Sequence, residues 1–394
     1  MPQQPKPSGR RIRCLEGYTA YIPDPLPPKL TWTPEITRAL SDADRLIGKL
    51  AGEGARLPNP HLLIRPFVRR EAVLSSRIEG TRSSLGELLA SEAGAAVERS
   101  PDDLREVGNY VVALEYGIKR LTSVPLSLRL TRELHERLMK NVRGGYATPG
   151  QFRRSQNWIG PPGCTLMNAV YVPPPPSELM SCLGEWEKFL HDRSLPPLVQ
   201  AGMIHSQFEA IHPFVDGNGR VGRLLITLFL IERKILPSPL LYLSAFFEAT
   251  RRDYYDRLQG ATERGEWNEW LQYFLDGVAR QSEDALSRAE RINKLLDNWH
   301  KTIANVPLKI GNTLIDHLAA NPYLTLKRSA QRLNVAFTTV QRAVERLEKF
   351  GIVTEVSAAE RNRVYCAKKI LDILEEPAQL IPFTVTDKQL RKGL

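Results

Sequence analysis

The stretch IHPFVDGNGRVGRLL, residues 211–225, joins two helical patterns through a short turn. Pro213 disfavours the helical conformation at the residue before it, so the first helix is predicted to end at His212. The second helix is predicted to begin just after Gly219. The apolar positions at helical spacing are Ala201, Ile204, Phe208 and Ile211 before the turn, and Val221, Leu224, Leu225 and Leu228 after it. The sequence therefore predicts two helices joined by a turn, with His212 facing that turn.

The turn between the predicted helices has the composition of an anion-binding site. Gly217 and Gly219 allow backbone conformations that direct several N–H groups at one point, and the following helix adds the positive end of its dipole. Arg220 and Arg223 are three residues apart, so they project from the same side of the first helical turn. Their guanidinium groups can form charge-assisted bonds with further phosphate oxygens. The turn therefore predicts a site for a phosphate chain.

Two more side chains in the stretch suit nucleotide transfer. Asp216 offers a carboxylate at the mouth of the turn, where a Mg²⁺ ion that bridges phosphates needs an oxygen ligand. His212 has an ordinary pKa near ~6.5, which makes it the natural general base for a hydroxyl nucleophile. A base, a metal ligand, an anion site and two arginines in one segment indicate an enzyme that transfers a nucleotide.

Other interpretations of these residues are weaker. Residues 217–222 match the dinucleotide fingerprint GxGxxG, but that fingerprint needs a preceding strand, and here a helix and a proline precede it. His205, Glu209 and His212 have the spacing of a metal triad on a helix. Pro213 removes His212 from helical register, so His205 and Glu209 are predicted to be structural polar groups. A plain loop between core helices explains the glycines, but it does not explain the histidine, aspartate and arginines together.

Length and composition set the class of protein. At 394 residues the chain is predicted to contain two or three domains. Lys and Arg number 54 against 44 Asp and Glu, and this excess indicates an anionic partner, either a nucleotide or a nucleic acid. The four cysteines lack metal-like spacing, which favours reduced thiols and a cytoplasmic location. No secretory signal is apparent, and the longest apolar run, residues 224–231, is too short to span a membrane.

Most of the remaining chain is predicted to be helical. Residues 1–60 show little periodicity except over residues 36–50, and a helical pattern over residues 61–89 is interrupted at Gly80, a good helix stop. The composition of residues 150–176 predicts a short hairpin that ends in a stiff polyproline segment. Further helical patterns cover residues 104–121, 128–142, 178–275 and, as a long connecting helix, 279–303.

The C-terminal residues predict a separate basic module. After Pro307, three short helical patterns precede an alternating segment, and together they indicate a winged helix-turn-helix. Residues 301–394 contain 15 Lys and Arg against 9 Asp and Glu, a net charge of +6. DNA binding and protein docking or dimerisation fit this module equally well. The candidate phosphate contacts are Lys327, Arg328, Arg332, Gln341, Arg342 and Arg346, with Arg361 and Arg363 on the wing, and the candidate base readers are Thr338, Thr339, Gln341 and Arg342.

The segment HPFVDGNGRVGR, residues 212–223, resembles the signature of Fic proteins, HPFx[DE]GNGRxxR, at every defined position. Residues 105–110, 150–176 and 243–258 are similar to other parts of the family. The resemblance implies a mainly α protein, with a Fic-fold helical domain that carries a short β-hairpin flap and a C-terminal winged helix-turn-helix domain. The implied domains are an N-terminal region with an inhibitory helix, the catalytic Fic domain, a connecting helix and the winged domain, at residues 1–95, 96–278, 279–304 and 305–394.

The resemblance also implies an activity, because Fic enzymes generally move AMP from ATP onto a target hydroxyl and release pyrophosphate. His212 would deprotonate a Ser, Thr or Tyr hydroxyl of a protein substrate, and Asp216 would hold Mg²⁺ on the α and β phosphates. The flap, residues 157–171, would bind the target backbone by strand addition. The implied ATP contacts are Gly217, Asn218 and Gly219 in the anion hole, Arg220 near the transferred phosphate, Arg223 at the γ phosphate, and Tyr254 and Tyr255 near the adenosine. Paired tyrosines can equally be core residues.

Residues 75–80, SSRIEG, resemble the Fic inhibitory motif [ST]xxxE[GN], with Ser75, Glu79 and Gly80 at the defined positions. The implied mechanism is competition, because a Glu79 carboxylate paired with Arg223 occupies the guanidinium that should hold the γ phosphate. In some relatives the same glutamate supports removal of AMP, which leaves a reverse activity open. A second hypothesis is a DNA-binding transcriptional regulator whose Fic domain modifies itself or a neighbouring protein.

Overall fold

The computed structural model describes residues 7–56, 60–97, 101–142, 148–161, 163–306, 308–357 and 362–380. Helices dominate this part of the chain, as the sequence predicts. The first ten are α1 (Pro34–Arg56), α2 (Pro60–Ile78), α3 (Leu85–Glu92), α4 (Pro101–Arg120), α5 (Leu128–Leu138), α6 (Pro176–Leu190), α7 (Pro197–Ile211), α8 (Asn218–Glu232), α9 (Ser244–Ala249) and α10 (Arg251–Gln259).

The helices α7 and α8 form the centre of the fold and carry the motif between them. They pack against each other, with α6 on one side of α7 and with α4 and α5 against α8. Apart from Pro197 and Glu209, every residue of α7 is buried, as expected for a helix enclosed by its neighbours. The first helix ends at Ile211 as predicted. The second begins at Asn218, two residues before the predicted start, because Gly217 serves as its N-cap with a φ of 81°.

The segment predicted to be inhibitory, residues 75–80, lies at the end of α2. This helix ends at Ile78, and Gly80 follows with a φ of 97°, a left-handed conformation that suits the predicted helix stop. A short turn then leads into α3, which begins with a capping box between Ser84 and Glu87. Because the turn is short, the position of Glu79 depends on both α2 and α3.

A β-hairpin near the N-terminus was not predicted. Strands β1 (Gly9–Arg13) and β2 (Thr19–Pro23) pair antiparallel, with Gly9 opposite Pro23. The Tyr21 backbone N–H donates to the carbonyl oxygen of Val172 at 2.8 Å, so β2 extends the flap. The predicted flap hairpin is itself reduced to one antiparallel bridge, between Ile159 and Tyr171. The flap therefore gains its support from the N-terminal hairpin rather than from its own strands.

The predicted connecting helix over residues 279–303 is not a separate element. A five-residue π-helix, Gly260–Arg264, follows α10, and α11 then runs without a break over Trp267–Ile303. Its first half packs on the central helices, where the Trp270 indole donates to the carbonyl oxygen of Gly202 at 2.9 Å. The proposed boundary at residue 279 thus falls inside one helix, because the buried stripe continues through Val278 and Ile292.

The chain from α12 to α15 forms a C-terminal module that contains the three predicted helices and the predicted hairpin. Its sheet has the strand order β3–β5–β4, with both pairs antiparallel. Strand β3 and helix α15 were not predicted, and Arg361 lies outside the described residues. The elements are α12 (Gly311–Ala320), β3 (Tyr323–Thr325), α13 (Leu326–Leu333), α14 (Phe337–Lys349), β4 (Thr354–Glu355), β5 (Val364–Cys366) and α15 (Lys368–Glu375). The assignment of this module as a winged helix remains a prediction.

Two further expectations concern the thiols and the membrane. All four cysteines are free. In the described part of the chain, every helix is either too short or too polar to cross a bilayer.

Candidate active site

His212 lies at the end of α7 in a left-handed backbone conformation, with φ 48° and ψ 62°. Its Nδ1 lies 3.2 Å from the carbonyl oxygen of Glu209. Because a carbonyl oxygen only accepts, Nδ1 carries the hydrogen, and Nε2 holds a free lone pair. Burial lowers the pKa of His212 to about 4, so the imidazole is neutral at pH 7. The geometry therefore presents a neutral base at the end of the helix.

Two side chains, Arg153 just before the flap and Asn157 at its start, hold His212 in this conformation. Arg153 donates from Nε to the carbonyl oxygen of His212 at 2.9 Å. The Asn157 amide donates to the carbonyl oxygens of His212 and Phe214 at 3.2 and 2.8 Å. A left-handed conformation at a non-glycine residue costs about 1–3 kcal/mol and persists only where its surroundings fix it. Sequence reasoning missed both roles, although Asn157 begins the predicted flap.

The turn after His212 presents free backbone donors. Among the described residues, the N–H groups of Asn218, Gly219 and Arg220 have no hydrogen-bond partner. The Asn218 side chain points away from them, because it exchanges two bonds of 2.8 Å with the backbone of Phe214. Three N–H groups without partners thus lie at the start of α8, at the residues predicted to form an anion hole, and the Asn218 amide closes the turn.

His135 on α5 packs against this turn and bonds to its backbone. Its ring stacks on Phe214 at a centroid distance of 3.8 Å. Its Nδ1 accepts the Gly150 N–H at 2.9 Å, so Nε2 donates to the carbonyl oxygen of Asp216 at 3.0 Å. Burial lowers the pKa of His135 to about 4, which keeps the ring neutral and both bonds intact. No sequence pattern pointed to this residue.

Arg220 and Asp216 lie together beside the free N–H groups. The Arg220 guanidinium is buried, 3.7 Å from an Asp216 carboxylate oxygen and 3.5 Å from a carboxylate oxygen of Glu106 on α4. Asp216 also accepts the Gly217 N–H at 2.6 Å, while about half of its side chain stays exposed. Glu106 on α4 therefore helps to fix the Arg220 guanidinium, and the Asp216 carboxylate remains accessible to solvent.

Arg223 is bound by Glu79, as the sequence predicts, and also by Ser75, whose contact with Arg223 was not predicted. Its Nε donates to the Ser75 hydroxyl at 2.8 Å, and its Nη2 donates to the Ser75 carbonyl at 2.9 Å and to the Glu79 carboxylate at 2.6 Å. Burial alone would lower the pKa of Arg223, but the charge of Glu79 raises it above its ordinary value. Burial likewise raises the pKa of Glu79, and Arg223 reverses that effect and lowers it. Both groups are therefore ionised at pH 7.

The Glu79 carboxylate also stands over the start of α8. A Cβ atom added to Gly219 would collide with the Glu79 carboxylate and lie 3.0 Å from Arg223 Nη1. Glu79 is thus the anion at a helix N-terminus, beside a guanidinium, in the position that the sequence predicts for a phosphate. We refer to the pairing of Glu79 with Arg223 as the inhibitory contact.

A cleft of about 580 Å³ opens from His212 and Arg223 toward the flap and α10. Tyr255 is 41% exposed at its mouth and Tyr254 is 1% exposed. The Tyr254 hydroxyl bonds to His205 Nε2 at 2.7 Å and its ring stacks on Phe247 at 4.5 Å. Tyr254 therefore belongs largely to the core, whereas Tyr255 can face a ligand. Both tyrosines line the cleft, as do Ile159 and Leu258.

His205 and Glu209 do not form a metal site with His212. Burial lowers the pKa of His205 to about 3 and raises the pKa of Glu209 to about 8, so both side chains are neutral at pH 7. Within the described residues, no group of three His, Cys, Asp or Glu side chains is arranged to hold a metal ion. The prediction that His205 is a structural polar group agrees with its bond to Tyr254.

Sequence comparisons relate this site to known families. Residues 37–119 match the Fic/DOC family N-terminal region, and residues 125–230 match the Fic/DOC family itself. The chain is 30% identical over 213 residues to the protein adenylyltransferase Fic of Aedes aegypti, which covers 52% of this chain and 38% of that relative. It is 32% identical over 164 residues to the protein of the same name from Drosophila virilis, covering 39% and 31%. The matches thus span about a third of the length of these curated relatives.

Solved structures share the fold. A Fic family protein from Desulfovibrio desulfuricans G20 superposes with a TM-score of 0.58 at 21% identity, over 87% of this chain and 98% of that one. A Fic domain containing signaling protein from Bacteroides thetaiotaomicron gives a TM-score of 0.50 at 20% identity, over 65% and 97% of the two chains.

Proposed function

This chain belongs to the Fic/DOC family, and we propose that it is a protein adenylyltransferase that transfers AMP from ATP to a Ser, Thr or Tyr hydroxyl of a protein. One observation carries the proposal. His212, with its free lone pair, and Gly219, the middle one of the three residues with free N–H groups, line the same cleft of about 580 Å³. A hydroxyl and a triphosphate that enter this cleft would meet a base and an anion site side by side.

The proposed reaction replaces one P–O bond with another. His212 Nε2 accepts the proton of the target hydroxyl, whose oxygen forms a bond to the α phosphorus as the bond from that phosphorus to the bridging oxygen breaks. Pyrophosphate leaves with the electron pair. The N–H groups of α8 and the guanidinium of Arg220 stabilise the charge that develops on the phosphoryl oxygens. Arg223 binds the γ phosphate and so aligns the leaving group.

Asp216 is the residue we assign to Mg²⁺. Magnesium is usually held in such sites by one or two protein carboxylates together with substrate phosphates, so a single half-exposed carboxylate at the phosphate turn fits the ion. The ion would neutralise charge on the α and β phosphates when ATP is bound.

The inhibitory contact is proposed to keep the resting enzyme slow. The Glu79 carboxylate accepts a hydrogen bond of 2.6 Å from Arg223 Nη2 and lies directly against Gly219. A γ phosphate that is denied Arg223 leaves the α phosphate out of line with the attacking oxygen. Misplacement of about 1 Å can reduce a rate by about 10². Loss of the Glu79 side chain should therefore raise AMP transfer by at least several-fold.

The test uses ATP labelled at the α phosphate, with the wild-type chain and the Glu79→Gly and His212→Ala variants in a protein lysate. We expect strong protein labelling with Glu79→Gly, weak labelling with the wild type, and none when His212→Ala is added to Glu79→Gly. ATP labelled at the γ phosphate should label the proteins no more than it does in the lysate alone, whose kinases use that label. Equal labelling by wild type and Glu79→Gly would reject the inhibitory contact, and γ label that rises above this background when Glu79→Gly is added would reject AMP transfer.

The position of Glu79 also supports a reverse activity, the hydrolysis of AMP from a modified protein. An ionised carboxylate over the anion turn can accept a proton from water as the water oxygen bonds to the α phosphorus. His212 in its protonated form would give a proton to the departing side-chain oxygen, and the proton that Glu79 takes from water would then restore that form. We expect wild type to release AMP from a protein labelled by Glu79→Gly, and Glu79→Gln to release none. AMP release by both at the same rate would exclude Glu79 from this role.

A second candidate function is DNA binding by the C-terminal module, alone or as part of a regulator that modifies itself. The observation in its favour is a groove lined by Lys327, Arg328 and Arg363, with no acidic residue among its described lining residues. Steep loss of binding to duplex DNA between about 50 and 200 mM salt would support phosphate contacts.

A further inference from the structure

The C-terminal module holds both ends of α3, the helix that follows Glu79. At the start of α3, a carboxylate from α15 accepts a backbone N–H, and at its end two side chains of the module donate to backbone carbonyls. Backbone groups at the ends of a helix commonly lack partners within it, although the Leu89 carbonyl here also accepts the Ala93 N–H at 3.0 Å. The bonds, each of 2.9 Å, join Gly86 to Glu375, Asn321 to Leu89 and Thr325 to Ala93. The module therefore fixes where α3 lies.

The position of α3 in turn affects the inhibitory contact. Glu79 lies in the short turn between α2 and α3, and α2 itself packs against α12 and α15. Arg70 on α2 adds a bond of 3.2 Å to the carbonyl oxygen of Glu376. A movement of the module away from α3 would thus loosen both helices that place Glu79 over Gly219.

A basic groove of about 730 Å³ adjoins these contacts. Its walls are Gly94 just after α3, the exposed face of α13, the start of α14, and Arg363 beside β5. In the described chain, neither Lys327 nor Arg328 forms an ion pair with a carboxylate, while Arg363 lies 3.8 Å from Glu355. Among the described residues, Lys327 and Arg328 therefore offer the groove positive charge that no carboxylate neutralises, which suits a chain of phosphates.

The shape of the module favours duplex DNA as the source of those phosphates. Helix α14 follows α13 after a short turn, and its first turn exposes Phe337, Thr338 and Thr339. The β4–β5 hairpin lies after it in the chain and contributes Arg363 to the same groove. A helix of this size enters the major groove of DNA while neighbouring basic residues contact the backbone.

The same groove residues contact α3. Thr325 lines the groove and donates to Ala93, and a Cβ atom on Gly94 would lie 3.6 Å from Arg328 Nη1. The C-terminal end of a helix carries partial negative charge, whereas the charge of Glu92 in the last turn of α3 is paired with Arg69 at 3.2 Å. A phosphate in the groove would therefore repel the end of α3 and attract Arg328 away from it.

We propose that this groove binds the backbone of duplex DNA and that its occupation releases α3, so that Glu79 leaves Arg223. The inference rests on the proposed function, in which the inhibitory contact limits AMP transfer. DNA and the γ phosphate of ATP then favour the same state, in which Glu79 no longer contacts Arg223. By linkage, DNA raises the affinity for ATP by the factor by which ATP raises the affinity for DNA.

The test uses the full chain and a fluorescent DNA duplex of about 30 base pairs and mixed sequence at low salt. We expect DNA to raise AMP transfer by wild type at least about fivefold, the lower end of common coupling factors. A non-hydrolysable ATP analogue should tighten DNA binding by a similar factor. Both effects should vanish in Glu79→Gly, which has no inhibitory contact to release.

Two sets of variants locate the site. Lys327→Gln combined with Arg328→Gln should weaken DNA binding and reduce the slope of log affinity against log salt by roughly 2. Arg45→Gln combined with Lys294→Gln removes the same charge outside the groove and should leave binding and transfer unchanged. Thr325→Val, or Asn321→Ala if the former is unstable, should raise transfer without DNA by roughly 2- to 10-fold, because one bond to α3 is lost.

Several results would overturn the inference: no binding of the duplex, binding that leaves transfer unchanged, or transfer that falls when DNA is added. Equal binding of an RNA hairpin or heparin would reject DNA as the ligand. Failure of the proposed function is a separate result, seen when Glu79→Gly transfers no AMP with or without DNA. In that case the DNA titration with and without the ATP analogue decides the coupling by itself.

Discussion

Replacing Glu79 with glutamine should strengthen the binding of ATP and leave the binding of AMP unchanged. Glutamine keeps the shape of the side chain but removes the charge that pairs with Arg223. The two bonds from Ser75 to Arg223, at 2.8 and 2.9 Å, remain and keep the guanidinium oriented. The γ phosphate of ATP then meets a cation without a competing anion, whereas AMP has no phosphate that reaches it.

The magnitude follows from the contact that ATP must displace. A hydrogen bond between charged groups contributes about 1.5–3 kcal/mol. The Glu79 side chain is 34% exposed and Arg223 is 2% exposed, so solvent screens the pair on one side and the lower end of that range applies. About 1.5 kcal/mol corresponds to roughly a tenfold lower Kd for a non-hydrolysable ATP analogue.

Calorimetric titration measures this change with the ATP analogue and with AMP, each added to wild type and to Glu79→Gln. The double variant Glu79→Gln with Arg223→Gln is the control, since it lacks the guanidinium and should show no gain over Arg223→Gln alone. An equal gain for AMP, or a gain that survives in the double variant, would refute the assignment of Arg223 to the γ phosphate.

Two other predictions concern the base and the turn. In Glu79→Gly, kcat/KM for AMP transfer should stay nearly constant down to pH 5.5, where an ordinary imidazole would have lost about nine-tenths of its neutral form, because burial lowers the pKa of His212 to about 4; a decline centred near 6.5 would contradict this. Gly217→Ala should lower the unfolding free energy in urea by roughly 1–3 kcal/mol, since φ is 81° and Met139 Sδ would lie 2.9 Å from the new Cβ. Gly351→Ala, with φ 65° and nothing within 4 Å, is the control and should cost less.

The parts of the site that could be predicted are those encoded by neighbours in sequence. Pro213 ends α7, and Gly217 has the positive φ that leads the turn into α8. The positions of His212 and of the predicted anion site can therefore be predicted from about a dozen consecutive residues. Ser75 and Glu79 were found as a pattern. Their partner Arg223 lies more than a hundred residues away, so the pairing came from family resemblance and only the structure supplies its 2.6 Å contact.

The residues that support the site could not be predicted because only the tertiary fold brings them close to it. Arg153 and Asn157 bind carbonyl oxygens almost sixty residues away, and His135 reaches a carbonyl still farther along the chain. A buried polar side chain that satisfies backbone groups leaves no periodic pattern. Glu106 could not be assigned a role for the same reason. The sequence predicts its helix, but not that this helix brings Glu106 to within 3.5 Å of Arg220.

Two errors in the predicted fold have physical causes. The strand Gly9–Arg13 carries three arginines and is largely exposed, so it lacks the alternation that marks a half-buried strand. Helix α11 was divided because the prediction began a separate connecting helix at residue 279, where the chain becomes more charged. The buried positions Phe274, Val278, Ile292 and Leu296 nevertheless continue at helical spacing, which is the better evidence for a single helix.

The inhibitory contact alone is a weak competitor for ATP. A γ phosphate carries more charge than a carboxylate and would reach the same guanidinium, and the pair, which solvent screens on the Glu79 side, contributes only about 1.5 kcal/mol. A stable resting state therefore needs further free energy that holds Glu79 in place without touching the nucleotide. The bonds from Asn321, Thr325 and Glu375 to α3 are of this kind, because they act only while the C-terminal module stays docked. We therefore expect the contacts between α3 and the C-terminal module to control AMP transfer. Variants of these contacts should alter the apparent affinity for ATP, while His212 keeps its role as the base.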